Sequence, residues 1–194
     1  MNVINELGVA HDEFYAVIRF VAWNANHDFG QTGLSGEEKI RLVKEISQKC
    51  KVFISSEEQL PVSLEKYRLR THPGRLHSIL RFAGLHIGEG STTAAESAVL
   101  GTPTIYVSSR ALGYCNELEE KYNLLFNFRT FKGVLEKTME LISFPNMKEE
   151  WQKRRKKMLA QKIDMNAFMV WFLENYPQSQ GMMIENPNFQ DKFR

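Results

Sequence analysis

The chain is poor in cysteine, in aspartate and in long apolar runs, and each shortage removes a class of protein. Cys50 and Cys115 are its 2 cysteines. They are too few for a disulfide framework and lack metal-ligand spacing, so they read as reduced thiols. The aspartates, Asp12, Asp28, Asp164 and Asp191, stand far apart, so no Asp-x-Asp pair is available to bridge a metal. HExxH is absent too, and His72, His77 and His86 show no ligand spacing; no metal is expected. No apolar run reaches the roughly 18 residues of a membrane helix. MNVINELG lacks the basic start and apolar run of a signal peptide. A soluble, cytoplasmic protein is the expectation. Neither a P-loop nor a Gly-x-Ser-x-Gly elbow occurs. The turn after the first strand also lacks the glycine fingerprint of a nicotinamide oxidoreductase.

What is there suits a globular protein. The 194 residues are 43% hydrophobic and 25% charged, enough for one domain with a helical tail. The net charge of +2 argues neither for nor against a nucleic-acid partner, and none is expected.

YAVIRFVAW, residues 15–23, reads as the first strand, followed by a polar loop, NANHDFGQTGLS. Ser35 and Glu38 have the spacing of a capping box, and Ile40, Val43, Ile46 and Cys50 then recur at helical spacing. KVFIS is a second strand, and a short third is expected near Leu69–Thr71. Residues 75–83 read as a helix, LHIG as a strand, 92–100 as a helix, PTIYVS and LLFNF as strands, and 131–142 as a helix with Val134, Leu135, Thr138 and Ile142 inward. Most of the strands are continuous apolar runs, which mark strands buried on both faces. The reading is α/β: a doubly wound, mostly parallel Rossmann-like sheet with helices on both faces, plus C-terminal helices. Residues 1–145 are expected to form that domain. Residues 146–176 form helices packing across it or on a partner, and 177–194 an irregular tail. KEEWQKRRKKMLAQK is basic, a solvated face or a peripheral contact with anionic lipid. Residues 163–172 are apolar nearly all round and must be covered.

The most patterned stretch is IGEGSTTAAESAVLGTPTIYV, residues 87–107. Gly88 and Gly90 allow a tight bend and close approach to a ligand. Ser91, Thr92 and Thr93 add hydroxyls where a helix start presents free N–H groups and a positive dipole end, a place for phosphate. Glu96 shares their face, roughly 6 Å down the axis. A carboxylate there repels phosphate but accepts two hydroxyls from a ribose diol, so a nucleoside diphosphate fits. The same residues also serve a plainer reading, Ser or Thr as helix caps and Glu96 as a solvated acid.

Gly-x-Gly-Ser-Thr-Thr-x-x-Glu followed by Leu-Gly-Thr-Pro resembles the donor-binding, carboxyl-terminal half of GT-B glycosyltransferases and of the non-hydrolysing UDP-GlcNAc 2-epimerases, over residues 15–176. RFVAWNANHDFGQTGLS, ISSEEQLP and the 87–107 stretch are most similar to the DUF354 group within that superfamily. The resemblance implies that Glu96 contacts the ribose and Ser91–Thr93 the diphosphate of a nucleotide sugar. His27, Asp28 and Gly30 lie in the loop after the first strand. The epimerases carry a histidine in a similar loop, in an HR-x-E-N-x-G pattern whose arginine is missing here. His27 and Asp28 are therefore weak catalytic candidates, and His27, Asp28 and Gly30 candidate sugar contacts. Glu57 is a weaker candidate, read as a cap for the segment that follows it. GT-B enzymes have two Rossmann-like domains, and the likeness covers one. This implies a donor half served by a separate acceptor-domain chain; the alternatives are a truncated or lone half that binds without catalysis, homodimeric through 163–172, or an epimerase-like sugar-nucleotide enzyme.

Overall fold

The structure, a computed structural model, describes residues 3–23 and 32–194. After a single helical turn, α1 (Val3–Glu6), the chain alternates β1 (Tyr15–Phe20), α2 (Gly36–Ser47), β2 (Lys51–Ser56), α3 (Leu76–Phe82), β3 (Leu85–Gly88), α4 (Ser91–Leu100), β4 (Thr104–Val107), α5 (Gly113–Glu120), β5 (Leu125–Phe128) and α6 (Val134–Ile142). The helices α7 (Met147–Leu159), α8 (Met165–Glu174) and α9 (Gln178–Glu185) follow. The strands form one sheet in the order β2-β1-β3-β4-β5, parallel at every pairing. The fold is α/β and Rossmann-like, as the apolar strands predict: β3 and β4 are buried along their whole length.

Helix α2 begins as expected. Ser35 accepts from the Glu38 amide while the Glu38 carboxylate accepts from the Ser35 amide. Its inner face is Leu42, Val43 and Ile46, whereas Ile40, expected inside, is 38% exposed. In α6 the inner residues are Val134, Thr138 and Leu141, with Leu141 taking the place expected of Ile142. The third strand expected at Leu69–Thr71 is reduced to a single bridge from Arg68 to Ile54. A 3-10 segment, Val62–Tyr67, delivers the chain to that point, too late for a ladder to grow. Two polar anchors fix α3: the Tyr15 hydroxyl donates to Ile79 O at 2.7 Å and the Thr102 hydroxyl to Leu80 O at 2.6 Å.

The chain divides into two compact units, residues 1–155 and 156–194. The division falls inside the basic helix and not at Pro145, because Trp151 belongs to the first core. Its indole N–H donates to Leu124 O at 3.2 Å and its ring meets Phe126 and Phe144. Nearby, Gln152 and Arg155 donate to Gly101 O and Val99 O, closing the carbonyl end of α4.

In the second unit the segment expected to be an irregular tail is ordered. Residues 178–185 are helical, and Pro187–Phe193 is a 3-10 segment. The reason lies in α8, whose aromatic rings need cover. Phe168 meets Phe193, and Trp171 meets Phe189 and Phe193, at centroid separations from 4.8 to 5.6 Å. Asp164 caps α8 by accepting from the Ala167 amide. The remaining apolar face stays open: Met165, Val170 and Leu173 are 58%, 55% and 66% exposed. No helix is long and apolar enough to cross a membrane among the described residues.

Candidate nucleotide site at the switch point of the sheet

The strand order places β1 beside β3, and the connections that leave them run to opposite sides of the sheet. Their carboxyl ends therefore diverge into a crevice, the position where open α/β sheets of this order hold ligands. A cavity of about 440 Å³ opens there, lined by Arg19 and Val21 from the end of β1, by Glu89–Thr93 after β3, and by Tyr106, Ser108 and Arg110 from β4 and its loop. A second cavity of about 390 Å³, lined by Ser55, Arg68, His72 and Leu76, adjoins it; Arg19 borders both.

The amino end of α4 forms one wall. Its capping residue is Gly90, and no side chain of the described residues caps it. The hydroxyls of Ser91, Thr92 and Thr93 are thus not spent as N-caps, which removes the plainer reading of the triplet. The first amides of the helix have no intrahelical acceptor and point out of its tip. Thr92 is exposed, Ser91 half-buried and Thr93 buried. The glycines serve a different purpose from the bend expected of them. Gly90 has an ordinary extended backbone, φ −90° and ψ 119°, but a Cβ there would press on Val21 Cγ1 at 3.2 Å. At Gly88 a Cβ would meet the His86 ring at 2.9 Å. Gly90 keeps the turn close to the end of β1, and Gly88 leaves room for the His86 ring.

Charge on the crevice is divided unevenly. Arg19 is tied down, donating to Ser55 Oγ at 2.8 Å and to Glu57 Oε1 at 2.7 Å. Glu57 also accepts from the Ala22 amide, so it braces the end of β1 and does not cap the segment after it. Arg110 donates its backbone amide to Ser108 Oγ. Its guanidinium has no hydrogen bond or ion pair with a described residue, and the residue lines the same cavity as the α4 tip. Burial raises the Tyr106 phenol pKa, against the hydrogen bonds with Ser108 and Ser91.

Glu89, which the sequence reading passed over, is the most enclosed acid of the site. Its residue is 2% exposed. Its carboxylate accepts from the Leu34 amide at 2.7 Å and the Val21 amide at 3.1 Å, with Lys39 Nζ at 3.3 Å. Burial raises its pKa, while Lys39 and the two amides pull the other way.

Glu96 stands apart from this cavity. It is half-exposed on the outer face of α4 and pairs with His77 Nε2 of α3 at 3.0 Å. Among the expected site residues, Gly90, Ser91, Thr92 and Thr93 are brought together on one wall, and Gly88 ends β3 two residues before Gly90. His27, Asp28 and Gly30 lie outside the described residues. No cluster of three potential metal ligands occurs among the described residues.

No family model matches the sequence, and no curated protein matches it. Solved structures do. The spinosyn rhamnosyltransferase SpnG in complex with spinosyn aglycone superposes with a TM-score of 0.57 at 16% identity, covering 87% of this chain and 47% of that one. A UDP-N-acetylglucosamine 2-epimerase gives 0.53 at 10% identity, covering 91% of this chain and 46% of that one. The calicheamicin glycosyltransferase CalG4 gives 0.53 at 13%, covering 87% and 44%. The chain spans about half the length of the structures it matches. At such identities the likeness is one of fold: the chain has the architecture of one half of a GT-B glycosyltransferase or epimerase.

Proposed function

We propose that the chain is the nucleotide-sugar-binding, donor half of a GT-B-like glycosyltransferase that works with an acceptor domain on another polypeptide. The observation that carries this reading is the uncapped amino end of α4, with the hydroxyls of Ser91–Thr93 unspent as caps at the switch point of the sheet. A diphosphate there takes the free amides and hydroxyls at the tip, and Arg110 supplies the counter-charge. A ribose that extends beyond the cavity would reach Glu96 one turn further along α4, in exchange for His77. Gly88 and Gly90 keep the turn close enough for backbone contact. In this reading His27, Asp28 and Gly30 approach the sugar, and the nucleotide sugar is the ligand without a metal. The closer likeness to the DUF354 group and a cytoplasmic site of action belong to the same proposal.

The open apolar face of α8 supports a second reading on its own observation. Met165, Val170 and Leu173 suit a separate acceptor-domain chain or a second copy. A binding domain without turnover fits this face equally well.

The test of the first reading is amide chemical-shift mapping with UDP and UDP-GlcNAc. Saturable shifts centred on Gly90–Thr93 and Arg110 are expected. Shifts confined to other surfaces, or none, refute it.

A further inference from the structure

Residue Glu89 occupies an unfavourable place for an acid if phosphate is bound next door. It lies between Gly88 and Gly90, immediately before the helix tip, and its side chain is 1% exposed. A buried carboxylate is tolerated only where donors satisfy it. Here the donors come from the two roots of the connection after β1. The Val21 amide donates to Oε2, the Leu34 amide to Oε1, and Lys39 of α2 faces Oε2. Its own amide donates to Arg19 O at 3.2 Å, carrying the β1–β3 ladder one step past the strands.

One side chain thus fastens both ends of the connection to the phosphate turn. The neighbouring packing agrees. A Cβ on Gly33 would collide with Glu89 Oε1 and lie 2.7 Å from Trp23 Cζ2, so Gly33 is pressed between the carboxylate and the indole. A separate tie exists at Ser109 after β4. Its amide donates to Thr32 O at 3.1 Å, and its hydroxyl accepts from the Thr32 amide at 3.0 Å.

We propose that Glu89 is a positioning residue, a latch that holds Val21 and Leu34 against the turn before α4 and thereby sets the shape and affinity of the nucleotide site. This rests on the nucleotide-sugar reading above. The carboxylate is not a catalytic base, because its oxygens are already engaged by two amides and an ammonium. Lys39 cancels the charge that would otherwise repel a phosphate at the helix tip. Holding both roots in advance removes the ordering cost that a ligand would meet.

The test uses the full chain and its Glu89→Gln and Glu89→Gln/Lys39→Gln variants, with site-resolved amide exchange, melting temperature and calorimetric titration with UDP-GlcNAc. A glutamine oxygen serves one of the two amides and turns its NH₂ toward the other. Exchange at Val21 or Leu34 should accelerate about tenfold or more, with β3 and β4 amides unchanged, and UDP-GlcNAc affinity should fall about tenfold. The double variant removes the unpaired ammonium. It should recover melting temperature while exchange stays fast and affinity stays low. That split separates positioning from a merely structural ion pair. Unchanged exchange at both amides overturns the latch, as does recovery of every readout in the double variant. If the wild-type chain binds no UDP-GlcNAc, the link to that ligand falls along with the nucleotide reading on which it rests. Exchange at Val21 and Leu34 then still decides the anchoring.

Discussion

His77 and Glu96 face each other across the α3–α4 surface, with Nε2 3.0 Å from the carboxylate. Their side chains are 62% and 41% exposed, so the pair contributes no more than about 1 kcal/mol to folding. Replacing Glu96 by alanine should leave the melting temperature nearly unchanged and weaken nucleotide binding. A variant that melts much earlier while binding as before would make Glu96 a structural residue and end its assignment to the ribose.

Arg110 carries a guanidinium without a partner among the described residues, on the cavity wall. Arg110→Ala should reduce affinity for a nucleoside diphosphate by about tenfold and flatten its dependence on salt, with the fold intact. Titrations at two ionic strengths check both effects. An unaltered salt dependence places the phosphates elsewhere.

Gly33 has no room for a methyl group beside Glu89 and Trp23. Gly33→Ala should destabilise the chain by about 1–3 kcal/mol through overpacking. In a Glu89→Ala background the added methyl should cost clearly less, since one of its two collisions is gone. Denaturant unfolding of the four proteins in this cycle measures the coupling. Strict additivity would mean that the two residues do not touch.

His86 lies fully buried in β3, neither ring nitrogen has a partner among the described residues, and burial with Arg19 nearby depresses its pKa from 6.5 to about 3. The unfolded chain therefore takes up this proton first. The stability that the neutral ring contributes is complete above pH 6.5 and is lost as pH falls toward 3, at about 1.4 kcal/mol per pH unit. Glu89 acts with the opposite sign: its raised pKa lets the native state hold the proton longer, so its contribution declines as pH rises above the usual carboxylate range. His86→Leu should keep or raise stability at neutral pH, because no hydrogen bond is lost, and should shallow the acid slope. Unfolding free energies at pH 7, 6 and 5 provide the measurement. An unchanged slope would place the acid sensitivity in other groups.

The sheet was legible wherever both faces are buried. Residues 85–88 and 104–107 announce themselves as apolar runs between turn residues. Helix α5 carries no legible period in the sequence, because only Cys115 and Leu118 are buried in it. Order at residues 178–193 depends on Phe189 and Phe193 finding the aromatic face of α8, a tertiary event without a local signal. That Gly90–Thr93 share one cavity wall was legible because they are contiguous in the sequence. The acceptor role of Glu89 was not, since it is fixed by amides 68 and 55 residues away. The same stretch that displays Ser91–Thr93 displays Glu89 as one more acid. Only the fold tells the two apart.

Calorimetric titration of the purified chain with UDP, UDP-GlcNAc, GDP and dTDP tests the central claim most directly. The account predicts saturable binding of one nucleoside diphosphate at a single site per chain, tighter when its sugar is attached. Absence of binding by all four would contradict it and leave a domain that keeps the GT-B architecture for contact with another protein.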